Sequence, residues 1–257
     1  MRFFSALPLV FAASIAAAQG QTPRSGREVL EAMRTAYNGK WYHTLTFTQK
    51  TTFRNQDGTE RVQTWREALR HTGATGTWLR IDIGDLKDGN GVIYTADSSW
   101  RIRGGKVAAA NADGNPFLPL IEGVYVQPVD RTIRELAQTK VDLSKVYQTK
   151  SQGRDVWVVG ASSAADTTSA QFWIDAERKV VTRMLLTLAA NRPPYDIQLG
   201  GYERVGNGWL ATKIVMLVGG VPQQTEEYSD WKIDVPLDAA LFDPAQWTTV
   251  KHWSTKP

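Results

Sequence analysis

From Ser25 onward the apolar residues first recur at helical spacing and then alternate. Val29, Leu30, Met33, Ala36 and Tyr37 fall on one face of a helix that Ser25 and Glu28 open as a capping box and Asn38-Gly39 ends. From Trp41 the period is two: Trp41, His43, Leu45, Phe47 and Phe53 share one face, and Tyr42, Thr44, Thr46, Thr48 and Lys50 take the other. Asp57-Gly58 is a hairpin signal leading to a return strand over 60–70. Further strands are predicted over 78–83, 92–95, 99–103 and 106–109, with turns at Asp88-Gly89-Asn90-Gly91 and Gly104-Gly105. Residues 116–128 are too apolar for an ordinary loop, yet Pro119 and Gly123 break them too often for a strand. Val129, Ile133, Leu136 and Ala137 then return to helical spacing.

The second half is again strands: 145–151, 154–162, 169–175, 179–188, 195–204, 208–218 and 223–233, with reversals at Gly153, Glu177, Asn207 and Gly219-Gly220. Two of these are apolar on both sides. Val180, Met184, Leu186 and Leu188 oppose Val181 and Leu185, while Leu210, Ile214 and Met216 oppose Val215 and Leu217. Such strands need cover on both faces. Two helices cover one face of a strongly bent sheet, so the other face is expected to line a core or a cavity. The pattern is mainly β with α, an antiparallel meander, and no Pro/Gly/Ser-rich linker divides it. Residues 19–257 therefore read as a single domain.

Residues 1–18 read as a signal peptide: Arg2, an apolar run, then Ala16-Ala17-Ala18 at the positions a signal peptidase recognises. Cleavage is expected after Ala18, with a second acceptable site two residues on. The run is shorter than the roughly 20 residues a spanning helix needs, and no cysteine follows it to carry a lipid anchor. An exported, soluble, periplasmic chain is the expectation. Hydrophobic residues at 42% and charged residues at 22% are ordinary globular values. A net charge of +4 from 30 basic and 26 acidic residues disfavours a nucleic-acid partner. With no cysteine and three scattered histidines, His43, His71 and His252, neither a disulfide nor a metal site is expected, and no cofactor.

Phe47-Thr48-Gln49-Lys50, closing the first strand after an amphipathic helix, resembles the Phe-Thr-Gln-Lys of the LolA family of periplasmic lipoprotein carriers. The likeness continues through Asp57-Gly58, Leu69-Arg70, Trp78-Leu79-Arg80-Ile81-Asp82, Val92-Ile93-Tyr94 with Ser99-Trp100-Arg101-Ile102, and a closing segment over 236–244 with Leu237, Leu241 and Phe242. The resemblance implies an unclosed antiparallel β-barrel, or half-barrel, covered by an N-terminal helix and a central helical lid, with an apolar cavity for acyl chains. It also implies a lid-gating arginine at the end of an early strand. Arg70 stands at that place, followed by His71 where the family has proline and by a longer turn to Thr77.

An acyl chain is recognised by area removed from water, which calls for a broad apolar wall. Alternation offers Leu45, Phe47, Leu79, Ile81, Phe172, Ile174, Met184, Leu186 and Met216 as wall candidates, each of which reads more readily as sheet core, since any sheet needs such residues. Phe117, Leu118, Leu120 and Ile121, with Arg70, are the lid candidates. Ten tryptophans scattered singly along different strands read as packing residues more readily than as sugar platforms. Gly206-Asn207-Gly208 reads as a hairpin turn and Asp82, Asp85 and Asp88 as a solvated turn, while Glu226 and Glu227 point to opposite faces of a strand. No hydrolase motif is present. The expected function is a monomeric, non-enzymatic carrier of acyl chains, lipoproteins or similar amphiphiles, working with a membrane-associated donor or acceptor protein. A lipid-responsive sensor module and a hydrolase without a motif remain the alternatives.

Overall fold

The computed structural model describes residues 22–55, 57–187 and 193–254. Residues 1–18, expected from the sequence to be a signal peptide, lie outside them. Helix α1 (Gly26–Tyr37) begins as its capping box requires: the Ser25 hydroxyl accepts from the Glu28 backbone N–H, and the Glu28 carboxylate accepts from the Arg24 backbone N–H at 2.8 Å. Strands β1 (Thr44–Arg54), β2 (Glu60–His71), β3 (Thr77–Ile83), β4 (Gly91–Tyr94), β5 (Ser99–Arg103) and β6 (Lys106–Asn111) form an antiparallel meander. The central apolar segment folds as the single-turn helix α2 (Leu118–Ile121), a 3₁₀ turn over Gly123–Tyr125, and α3 (Val129–Leu136). A second meander follows: β7 (Val146–Ser151), β8 (Arg154–Val159), β9 (Gln171–Asp175), β10 (Val181–Leu186) and β11 (Tyr195–Gly200).

The expected single strands over 195–204 and 208–218 are each broken. Gly201 turns the chain at φ +63, a left-handed conformation that suits glycine, and β12 (Glu203–Val205) and β13 (Gly208–Leu210) make a small separate hairpin. Its turn is Gly206-Asn207, as the sequence suggested. Strand β14 (Lys213–Val218) then returns to the main sheet, and β15 (Val221–Ile233) completes it.

Among the described residues the main sheet has thirteen strands in the order β6-β5-β4-β3-β2-β1-β15-β14-β11-β10-β9-β8-β7. It does not close, because β6 and β7 remain as edges. The first and last strands meet at its middle, with Leu45 opposite Ile233 and Lys50 opposite Glu227. Val29, Leu30, Met33 and Tyr37 of α1 share one buried cluster with Leu45, Leu69, Leu79, Phe172, Met184 and Ile197 of the sheet. The three helices thus cover the inner face. No helix among the described residues is long and apolar enough to cross a membrane.

The outer face is closed differently from the expectation. Beyond β15 the chain folds over β2–β5, where Leu241 and Phe242 pack on Ala68 and Trp78, and Trp247 packs on Ile93 and Ile102. Arg80, 3% exposed, points into this layer: its guanidinium lies 3.8 Å over the Trp247 ring, pairs with Asp82 at 2.9 Å and donates to the carbonyl of Leu241 at 3.3 Å. Asp82 is therefore a buried ion-pair partner rather than part of a solvated turn. Gly91 sits beneath the same tryptophan, where a Cβ would come within 2.0 Å of the Ile81 carbonyl oxygen and 2.5 Å of the Trp247 ring. Gly91→Ala is expected to lower the free energy of unfolding by about 2 kcal/mol through overpacking, measured as a shift in the urea midpoint.

Candidate functional site

Period two along β1 and β2 decides what faces the helices. Leu45, Phe47 and Gln49 of β1, and Trp65, Glu67 and Leu69 of β2, all turn inward and line one cavity of about 380 Å³. Leu79 and Ile81 of β3, Met184 of β10, Ile197 of β11 and Ile214 and Met216 of β14 extend its wall. Val181 joins them although simple alternation opposes it to Met184, because the register shifts between Val181 and Arg183. Phe117, Leu118 and Ile121 of the central segment form the roof. Volume and lining match an ordinary small-molecule site.

Of the nine wall candidates, Leu45, Phe47, Leu79, Ile81, Met184 and Met216 line the cavity. Phe172, Ile174 and Leu186 do not; all are at most 1% exposed and fill the core toward the β7 end. Of the lid candidates, Phe117, Leu118 and Ile121 line it, whereas Leu120 is buried beside them without reaching it. Arg70 is also absent from the lining. It falls out of phase with Glu67 and Leu69, on the face of β2 that carries Ala68 and meets the C-terminal segment.

What secures the roof is the residue after it. Glu122, just past α2 and 6% exposed, accepts hydrogen bonds from the Tyr42 hydroxyl at 2.6 Å and the Trp41 indole N–H at 3.1 Å. His71 Nε2 lies 3.4 Å from the same carboxylate, and His71 Nδ1 is 3.0 Å from the Thr77 hydroxyl. Burial first, and then the adjacent Glu122, hold the Tyr42 hydroxyl protonated far above its usual range. Tyr125 completes the attachment by packing its ring 4.0 Å from that of Trp41 and 5.2 Å from that of Tyr37. Alternation had marked Trp41 and Tyr42 only as strand residues, and nothing local in the sequence linked them to Glu122.

The cavity also has a polar end that the apolar pattern did not reveal. Glu67 is 4% exposed, and its Oε1 finds no hydrogen-bond partner among the described residues. The Trp65 indole N–H, two residues away on the same face, is likewise buried without one. Across β1, Glu226 accepts from the Tyr228 hydroxyl and, at 2.6 Å, from the Gln224 amide. Gln49 lies between them, opposite Trp65 on one side and Tyr228 on the other. The signal was present but easily missed: Gln49, Glu67 and Glu226 are polar at positions where the alternation demands apolar residues.

Burial pushes the Glu67 carboxyl well above the ordinary carboxylate range, and the nearby Glu226 adds to the shift. Glu226 is raised by burial as well, partly offset by hydrogen bonds from Tyr228, Gln224 and Gln49. Tyr228 is raised by burial and by both carboxyls. Among the described residues no lysine, arginine or histidine lines the cavity.

Comparison with known proteins places the fold. No protein-family model and no curated protein matches the sequence. Among solved structures, a DUF1329 family protein from Desulfovibrio piger matches with a TM-score of 0.60 at 12% identity, covering 86% of this chain and 97% of that one. A domain ascribed to outer membrane lipoprotein sorting from Vibrio parahaemolyticus matches with a TM-score of 0.61 at 12% identity, with the same coverage. A LolA superfamily protein from Nitrosomonas europaea aligns more loosely, with a TM-score of 0.49 at 11% identity over 85% of this chain and 97% of that one. The first two carry the comparison, and at such identities what they share with this chain is the fold: an unclosed, helix-covered antiparallel sheet.

Two outcomes follow from this geometry. Glu122→Ala leaves a buried hydroxyl and a buried indole N–H without an acceptor, so it is expected to cost about 3 kcal/mol in urea unfolding, against about 1 kcal/mol for Glu122→Gln. The raised carboxyls set a pH dependence. Folded protein keeps protons that the unfolded chain releases near pH 4.3, so their contribution to stability declines as pH rises above that value, by up to about 1.4 kcal/mol per pH unit for each group. Glu67→Gln is therefore expected to lose less stability than the parent protein between pH 5 and pH 7; equal slopes in urea midpoints would show that Glu67 does not titrate there.

Proposed function

We propose that the protein is an exported carrier that holds an acyl chain or similar amphiphile in the cavity beneath its roof, without chemical change. The observation that carries this reading is the cavity itself: a space of about 380 Å³ whose wall is built from Leu45, Phe47, Leu79, Ile81, Ile214 and Met216 and whose cover is a short, separately anchored helix. A filled core would have closed this space. Methionines at 184 and 216 suit a wall that repacks around different chains. The likeness in fold to a domain ascribed to outer membrane lipoprotein sorting supports the same reading.

On this reading the segment over residues 1–18 exports the chain to the periplasm, and a monomer exchanges cargo with a membrane-associated donor or acceptor protein. Phe117, Leu118 and Ile121 are then the roof residues that move when cargo enters. Arg70, facing outward, has no part in that movement, and Glu122 takes the role of securing the roof.

The test is native mass spectrometry, with organic extraction, on protein starting at Gln19 and purified from the periplasm without detergent. A stoichiometric acylated species is expected; a mass unchanged after incubation with lipids and lipopeptides overturns the carrier. Affinity for a series of alkyl chains is expected to rise about fourfold per added methylene until the cavity is full, as about 0.8 kcal/mol per buried CH₂ requires. Phe47, whose ring packs 4.9 Å from Trp231 and 5.5 Å from Tyr228 at the wall, supplies a mutational check. Phe47→Glu is expected to weaken chain uptake at least tenfold while costing little in folding, and an equal loss of both would make it a core residue only.

A further inference from the structure

Resting on the carrier reading and deepening it, we propose that the cavity selects amphiphiles whose polar end carries a protonated amine, with Glu67 as the counter-ion. Three observations converge on this head-group chemistry. The first is the unpaired acceptor: Glu67 lines the cavity, and its enclosed Oε1 has no hydrogen-bond partner among the described residues. A buried acceptor left in that state costs about 1–3 kcal/mol, more when it is charged, so a cargo that donates to it recovers that loss on binding. The second is the sign of the lining. Glu67, Glu122 and Glu226 all face the cavity, and no basic side chain among the described residues lines it.

The third observation separates the roles of these carboxyls. Glu122 is occupied by Tyr42, Trp41 and His71, and Glu226 by Tyr228 and Gln224. Of the three, Glu67 alone has an oxygen without a partner, while Glu226 lies across β1 on the other side of Gln49. An anionic head, such as the carboxylate of a fatty acid, finds no basic partner here and disfavours ionisation of Glu67. A neutral hydroxyl donates to the oxygen and leaves the carboxyl uncharged. An ammonium donates to the oxygen and lets the Glu67 carboxyl release its proton to solvent, so that an ion pair replaces an unpaired acceptor.

The experiment holds the tail constant and varies the head. Binding of dodecylamine, dodecanol and laurate, each below its critical micelle concentration, is followed by quenching of tryptophan fluorescence in the detergent-free protein at pH 7. Dodecylamine is expected to bind at least tenfold more tightly than dodecanol, and laurate most weakly. Glu67→Gln is expected to bring dodecylamine down to the affinity of dodecanol while leaving dodecanol within twofold of its original value. If that variant does not fold, Glu226→Gln reports instead, with the amine preference expected to shrink at least threefold. Equal affinity for dodecylamine and dodecanol overturns the amine selectivity and leaves the carrier standing, as does a preference that survives both substitutions. Failure of all three probes to bind overturns the carrier reading and the selectivity together.

Discussion

The carboxylate of Glu122 fixes where the roof sits, and the cavity depends on it. Helix α2 is a single turn of 4 residues, too short to be stable through its own hydrogen bonds. Its position has to come from elsewhere. Tyr42 and Trp41 at the entry to β1 and His71 at the end of β2 converge on Glu122, so one buried side chain ties the central segment to two of the strands that build the wall. The arrangement also explains why His71 follows Arg70. A histidine here reaches inward to the roof, whereas a proline would offer no polar group to Glu122.

The cavity itself follows from a mismatch of sizes. Thirteen strands at about 4.8 Å spacing make an arc of roughly 58 Å, whereas α1, the longest helix at 12 residues, is about 18 Å long. Three short helices cannot fill so wide an inner face. Toward the β7 end they succeed: Phe172, Ile174 and Leu186 are sealed in the cluster that holds Val29, Leu30 and Met33 of α1. Nearer β1 and β2 only the short α2 segment is available, and the space below it stays open. The outer face escapes the problem because the C-terminal segment, pinned by Arg80, covers it without needing regular structure.

Polar residues inside an apolar wall have a cost, and their distribution shows where the cavity departs from a core. Glu226 is satisfied by Tyr228 and Gln224, so its burial is supported by local bonds. Glu67 and Trp65 lack such support. A protein optimised only for stability would place leucine or valine at position 67, as it does at the neighbouring inward position Leu69. The unsupported carboxyl thus marks where the cavity departs from a core, and its burial is what raises its pKa.

Local pattern alone determined much of this molecule. The capping box and spacing of α1, the alternation of the strands and the Asp57-Gly58 and Gly206-Asn207 turns were enough for a mainly β, helix-covered antiparallel chain, because each depends on contacts within a few residues or along one strand; the half-barrel was what the resemblance carried by Phe47 to Lys50 implied. Six of the nine wall residues were legible for the same reason: inward parity is a local property. Parity does not say how deep a position lies along the arc, so Phe172, Ile174 and Leu186 could not be told from cavity residues. Nor does it survive a shift of register, which is how Val181 changed sides. Only the tertiary structure brought Glu122 to Tyr42 and His71 from 80 and 51 residues away in the chain, laid the C-terminal segment on the outer face of β2, and set Glu67 and Glu226 on either side of Gln49. Those relations exist because β1 pairs at once with β2, its neighbour in sequence, and with β15 from the far end of the chain, and no window of sequence contains both.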